Sequence, residues 1–99
     1  MGTKNNPGKF DCYAKADPDE PMFILLGRDP LAPSLVLMWA CFANGDVVGA
    51  LAEFNHVAQE ILPQFEDKPT SEDKLKEAVA CAEAMEEMQG LTEGLELPS

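Results

Sequence analysis

Apolar positions fall into four stretches separated by helix and strand breakers. Met22-Phe23-Ile24-Leu25-Leu26 is a short apolar run between Pro21 and Gly27. Its length and flanks predict a buried extended segment, with a short helix as the alternative that pattern alone leaves open. The run before it, Asp17 to Pro21, reads Asp-Pro-Asp-Glu-Pro and predicts a turn, because each proline drives the preceding residue out of the helical region. From Leu35 to Ala43 every residue is apolar. Asp29-Pro30 can start a first helix here, since an aspartate accepts hydrogen bonds from first-turn amides and proline is preset for the first helical position; Pro33 makes a start near Ala32 the alternative. Asn44-Gly45 stops it.

Asp46 can cap a second helix from Val47. Its apolar positions Val47, Leu51, Phe54, Val57, Ala58, Ile61 and Leu62 keep the 3.6-residue period, with Glu53, His56, Gln59 and Glu60 on the opposite face. Pro63 is expected to end it and Gln64 to Pro69 to form a loop. Thr70 or Ser71 then caps a third helix, lined on one face by Leu75, Ala78, Val79, Ala82, Met85 and Met88 and closed by Gly90. The expected organisation is a flexible polar N-terminus over 1–9, a single helical domain over 10–90 and a flexible acidic tail over 91–99. The fold class is mainly α, a compact three-helix domain with a short N-terminal extended segment, and the sequence has no internal repeat.

The first helix departs from this ordinary amphipathic pattern. It has no polar face beyond its capping turn, and three-helix proteins usually leave one stripe of each helix in water. A helix carrying Leu35, Met38, Trp39 and Phe42 would then expose a patch that isolated proteins avoid. Tryptophan, methionine and phenylalanine are enriched at protein interfaces, so these four positions are the expected contact of a homo-oligomer. Complete coverage of the helix within one chain is the alternative.

Composition narrows the class. The chain has 99 residues, 45% of them apolar, with 18 carboxylates against 7 Lys+Arg and a net charge of −11. A chain of this size buries roughly 65% of its unfolded surface, enough for one core. The apolar fraction opposes wholesale disorder, and the longest apolar run falls well short of the ~18 residues of a membrane span. The first residues, Met-Gly-Thr-Lys-Asn-Asn-Pro-Gly-Lys, lack the apolar centre of a signal peptide, which implies an intracellular protein. Charge is uneven: residues 1–28 hold four bases and four acids, and residues 29–99 hold three lysines and fourteen acids. Such a surface repels nucleic-acid phosphates, so direct DNA binding is not expected; it suits solubility, or docking on a basic partner.

Candidate chemistry is sparse. Cys12, Cys41 and Cys81, with the single histidine His56, fit neither a zinc spacing nor a disulfide framework, so no metal site is expected. Cys41 and Cys81 lie in apolar helical patterns as small core hydrophobes, while Cys12 lies in a polar stretch without a basic cluster to activate it. His56 falls between Glu53 and Glu60, where a surface ion pair explains it better than catalysis. Glu83, Glu86 and Glu87 lack the histidine of a di-metal site and read as a solvated face. No phosphate loop or nucleophile elbow occurs, so neither an enzyme nor a cofactor is expected. Gly27-Arg28-Asp29-Pro30 is more informative, because Arg28 is the sole arginine and adjoins a helix start. A guanidinium pairs its donors with phosphate or carboxylate, and first-turn amides favour anions, so the junction could hold an anionic ligand. A salt bridge from Arg28 to Asp29, Asp17 or Glu20 is the competing expectation.

The stretch from Asp19 to Ala40 resembles a group of small proteins of unassigned function encoded by bacteriophages and prophages. Glu20, Pro21, Phe23, Leu25, Arg28, Asp29, Ala32, Pro33, Trp39 and Ala40 match their pattern, and Ala80-Cys81-Ala82-Glu83-Ala84-Met85 looks like their last helix. Leu37 departs from it, standing where such proteins often carry a basic residue. The resemblance implies a phage origin and action in the host cytoplasm, without an established activity. Two functions follow as expectations. One is an antagonist of bacterial antiviral defence that sequesters a small nucleotide signal in an inter-subunit pocket. In that pocket Arg28 and the helix start at Asp29 would hold the phosphate, and Trp39 or Phe23 would stack. The other is a protein–protein inhibitor, anti-CRISPR-like or a nucleic-acid mimic, whose acidic second and third helices block a basic surface of a host defence protein.

Overall fold

Helices account for all the regular secondary structure among the described residues, 2–90, of the computed structural model, and no strand forms among them. In chain order they are α1 (Cys12–Lys15), α2 (Ala32–Ala43), α3 (Val47–His56), a π-helical turn (Val57–Ile61), α4 (Leu62–Asp67) and α5 (Glu72–Met88). The protein is mainly α. The acidic tail expected over 91–99 lies outside the described residues. The chain forms two compact units, Phe23–Ala80 and residues 2–22 with 81–90, and α5 contributes residues to both.

Within Phe23–Ala80, α2 starts at the later of its two expected positions. Asp29 does not enter the helix: its carboxylate accepts from the Leu31 amide at 2.9 Å and its carbonyl from the Ala32 amide at 3.0 Å, forming a turn that delivers the chain into α2. At the other end the Asp46 amide donates to the Cys41 carbonyl at 2.7 Å and the Gly45 amide to Phe42 at 3.0 Å. This is the paired closure of a Schellman motif, and Gly45 sits at φ +73°, where a glycine carries no steric cost. Asp46 then caps α3, accepting from the Gly49 amide at 2.9 Å. One residue thus closes α2 and opens α3, and the two helices pack as a tight antiparallel hairpin.

Pro63 does not end the second helix. Upstream of it the ladder widens into the π turn, in which the Leu62 amide reaches back to Val57, and helix resumes as α4 through Asp67. Proline lacks an amide and its ring crowds the carbonyl four residues earlier; the widened turn sets Pro63 at the start of α4, where no amide is required. Residues 64–67, expected in a loop, are therefore helical. α5 begins after Ser71, whose carbonyl accepts from Leu75 at 3.1 Å.

In the other unit Asp11 caps the unanticipated single turn α1 through the Ala14 amide at 3.2 Å, and the lysines Lys9 and Lys15 lie over the Phe10 ring at 5.8 and 5.6 Å. Asp17 to Glu20 forms the expected turn, its ends joined by two hydrogen bonds of 3.1 Å. The Cys81 thiol, half-buried, donates to the Met22 carbonyl at 3.3 Å. Gly90, at φ +72°, closes α5 as expected.

Burial departs furthest from expectation. Among the described residues only Ala32, Ser34 and Ala50 are fully buried, and no large side chain is. The apolar run 22–26 is neither helix nor strand, and Phe23, Ile24 and Leu26 are exposed rather than buried. A buried extended segment needs a pairing strand for its backbone, and the described residues supply none. Val47, Leu51, Phe54 and Leu62 of the second helical run and Leu75, Val79 and Met88 of α5 are also exposed, although periodicity assigns them to apolar faces. The amphipathic pattern is present, but its apolar stripes are only partly covered: Val57, Ala58, Ile61, Ala78 and Met85 are half-buried and the rest are open to solvent.

Candidate functional site: an apolar face of the helical hairpin

The α2–α3 hairpin carries nine exposed large apolar side chains, and the placement of six of them follows from helical phase. The side of α2 turned to α3 is marked by Ser34, Met38 and Cys41 and that of α3 by Gly49, Ala50 and Glu53, all buried or half-buried, with the capping Asp46 in phase with Ala50 one turn before it. A Cβ at Gly49 would lie 2.9 Å from the Cys41 sulfur, so the helices approach closely there. Leu35, Trp39 and Phe42 each follow a contact-line residue of α2 by one position, and Val47, Leu51 and Phe54 do the same on α3. One position is about 100° of rotation, and in an antiparallel pair of right-handed helices the same rotation leads both stripes to the same side. The six side chains therefore form one platform, with exposures running from 39% at Leu35 to 68% at Trp39.

Spacing from the turn orders the platform into three layers: Phe42 beside Val47, Trp39 beside Leu51, and Leu35 beside Phe54. Its electrostatics are equally distinctive. Between Asp29 and Glu53 the only charged residue is Asp46, committed to capping. In a chain of net charge −11 the hairpin is thus nearly free of charge on every side, and the platform is the side that gathers its aromatic rings, Trp39, Phe42 and Phe54.

Of the four expected interface residues, Leu35, Trp39 and Phe42 lie on this platform, while Met38 is half-buried on the line facing α3. Val47, Leu51 and Phe54 belong with the first three. The signal that places them is the short turn: Asp46 heads the contact line of α3, so the residues one step later share the side occupied by Trp39.

The candidate ligand residues are arranged differently. Arg28 is exposed and, within Phe23–Ala80, pairs with no carboxylate; neighbouring Asp29 is engaged with the Leu31 amide instead. The helix start offers fewer amides than expected, because Leu31 and Ala32 donate to Asp29 and Pro33 has none to give. Phe23 is exposed, and Trp39 lies two helical turns beyond Ala32, about 10 Å along the axis. Neither ring stacks on another aromatic within this unit, nor does Arg28 lie over either. His56 is exposed and pairs with neither Glu53 nor Glu60.

A separate open groove lies in the unit of residues 2–22 and 81–90. It is lined by Asp17, Asp19, Glu20 and Glu87 with Pro18, Pro21, Ala84 and Met88. Its four carboxylates oppose entry of a phosphate. Among the described residues no helix is long and apolar enough to cross a membrane.

Comparison of the chain with protein-family models, with curated proteins and with solved structures finds no match in any of the three.

Proposed function

We propose that this chain is a binding protein whose working surface is the apolar platform of α2 and α3, covered in use by another polypeptide, and that it acts by binding rather than by catalysis. The observation that carries the reading is the convergence of Leu35, Trp39, Phe42, Val47, Leu51 and Phe54 on one side of one hairpin, all open to solvent. Exposed apolar surface of this extent marks an interaction site, and tryptophan and phenylalanine are favoured interface anchors. With the phage-type resemblance, the wider role proposed is antagonism of a bacterial defence component in the host cytoplasm.

Site-specific photocrosslinking tests the surface. A benzophenone amino acid replacing Trp39 or Leu51 is expected to capture a second polypeptide, whereas the same group replacing Val36, on the far side of α2, is not. Intrachain products alone from positions 39 and 51 would retire the reading.

A second reading keeps Arg28 at its centre. Its lack of a carboxylate partner within its own unit leaves a guanidinium free for a nucleotide phosphate, in a pocket completed by association. Thermal denaturation with cyclic dinucleotides and ADP-ribose derivatives tests it: a ligand at 100 times its Kd adds about 2.7 kcal/mol, and Arg28→Ala should abolish the gain. A flat screen removes this reading and leaves the platform untouched.

A further inference from the structure

We propose that the polypeptide covering the platform is a second copy of this chain, the two hairpins stacking face to face about a two-fold axis to give a four-helix arrangement. The inference rests on the reading of the platform as a protein contact and names its occupant. Three observations favour a copy. The exposed parts of the six side chains sum to roughly 700 Å² per chain, close to the ~800 Å² that each partner contributes to a standard stable interface.

Charge points the same way. Two chains of −11 repel wherever their acidic surfaces meet; the hairpin, whose only charge between Asp29 and Glu53 is the capping Asp46, is where few carboxylates oppose, and the platform is its aromatic side. A strongly basic partner would find nothing on this face to pair with.

The layers are also self-complementary. In an inverted stack about a two-fold axis, the outer layer Phe42–Val47 meets Leu35–Phe54 of the copy, and Trp39–Leu51 lies at the axis. Each outer layer offers one aromatic and one aliphatic side chain, so inversion matches large against small at both ends. The same residues bury on both chains.

The test uses the full chain, with Trp39 as its only tryptophan. Sedimentation equilibrium from about 1 µM to about 1 mM, read beside Trp39 emission and acrylamide quenching, is expected to show mass doubling as Trp39 emission moves to the blue and quenching falls. Leu51→Lys, at an exposed position, should weaken association at least tenfold with its far-UV circular dichroism retained; Val36→Lys should leave association unchanged. Single-chain mass at every concentration with Trp39 freely quenched would overturn the copy while leaving the platform open to another protein. Single-chain mass with Trp39 shielded would overturn this proposal and the reading beneath it, since the chain would then be covering its own platform. Doubling of mass that persists in Leu51→Lys and leaves Trp39 quenchable would overturn it as well, by placing the contact elsewhere. The wild-type measurements decide the matter even if a variant fails to fold.

Discussion

Asp46 closes one helix through its backbone amide and opens the next through its carboxylate, so its replacement should be felt by both. Asp46→Ala removes the side-chain cap and is expected to lower stability by about 1 kcal/mol, read from the midpoint of thermal or urea unfolding. Gly49 is the more discriminating position. In an ordinary helix interior Gly→Ala stabilises by about 1 kcal/mol. Here the new methyl would fall against the Asp46 carboxylate and the Cys41 sulfur, so Gly49→Ala is expected to lower the unfolding midpoint. Gly27→Ala, with nothing within 4 Å of its added Cβ, should leave the midpoint nearly unchanged. The Asp46 cap and the Gly45 stop are legible in the sequence because capping is chemistry among residues a few positions apart. The demand on Gly49 is legible only in part: the Asp46 carboxylate that would crowd it is three residues away, but the Cys41 sulfur lies across the turn.

At the level of elements, α2 was legible to within a residue or two and the second helix was not. Apolar periodicity located Val47 onwards correctly, yet Pro63 as a stop signal misled because it assumes an unmodified ladder. The π turn over Val57–Ile61 supplies the extra room, a backbone adjustment around Pro63 that a plain stop signal does not anticipate. Pro63→Ala should let ordinary α-helical bonding run from α3 into α4. The expected result is a stability gain of about 1 kcal/mol and slower amide exchange across residues 57–63, measured by hydrogen exchange. Exchange unchanged in that region would mean that the widened turn has another cause. α1 escaped notice for a related reason: a single turn carries no periodicity, only the Asp11 cap.

At the level of the whole molecule, the all-apolar first helix was the sequence feature that pointed to the candidate site, and half of the platform was named from it. The other half reads only as the apolar face of an ordinary amphipathic helix, and a periodic stripe looks the same whether it meets its own chain or a neighbour. What separates the two cases is the exposure of Val47, Leu51 and Phe54, a property of the folded chain. Net charge gives a further discriminating expectation. Association of two −11 chains through a neutral face should tighten as added salt screens their repulsion, whereas docking of acidic helices on a basic protein should weaken. Sedimentation at low and at high sodium chloride separates these opposite trends.

The turn that joins α2 to α3 also fixes the angular setting between two faces. A single residue added to the last turn of α2 and kept helical would carry the turn, and α3 with it, about 100° around the α2 axis. The six side chains would then split into two unrelated ridges, each too narrow to seat a partner. Loops are ordinarily where a protein accepts changes of length most readily; at the entry to this one, a change of one would act like a slipped tooth in a gear train, leaving every part intact and the coupling lost.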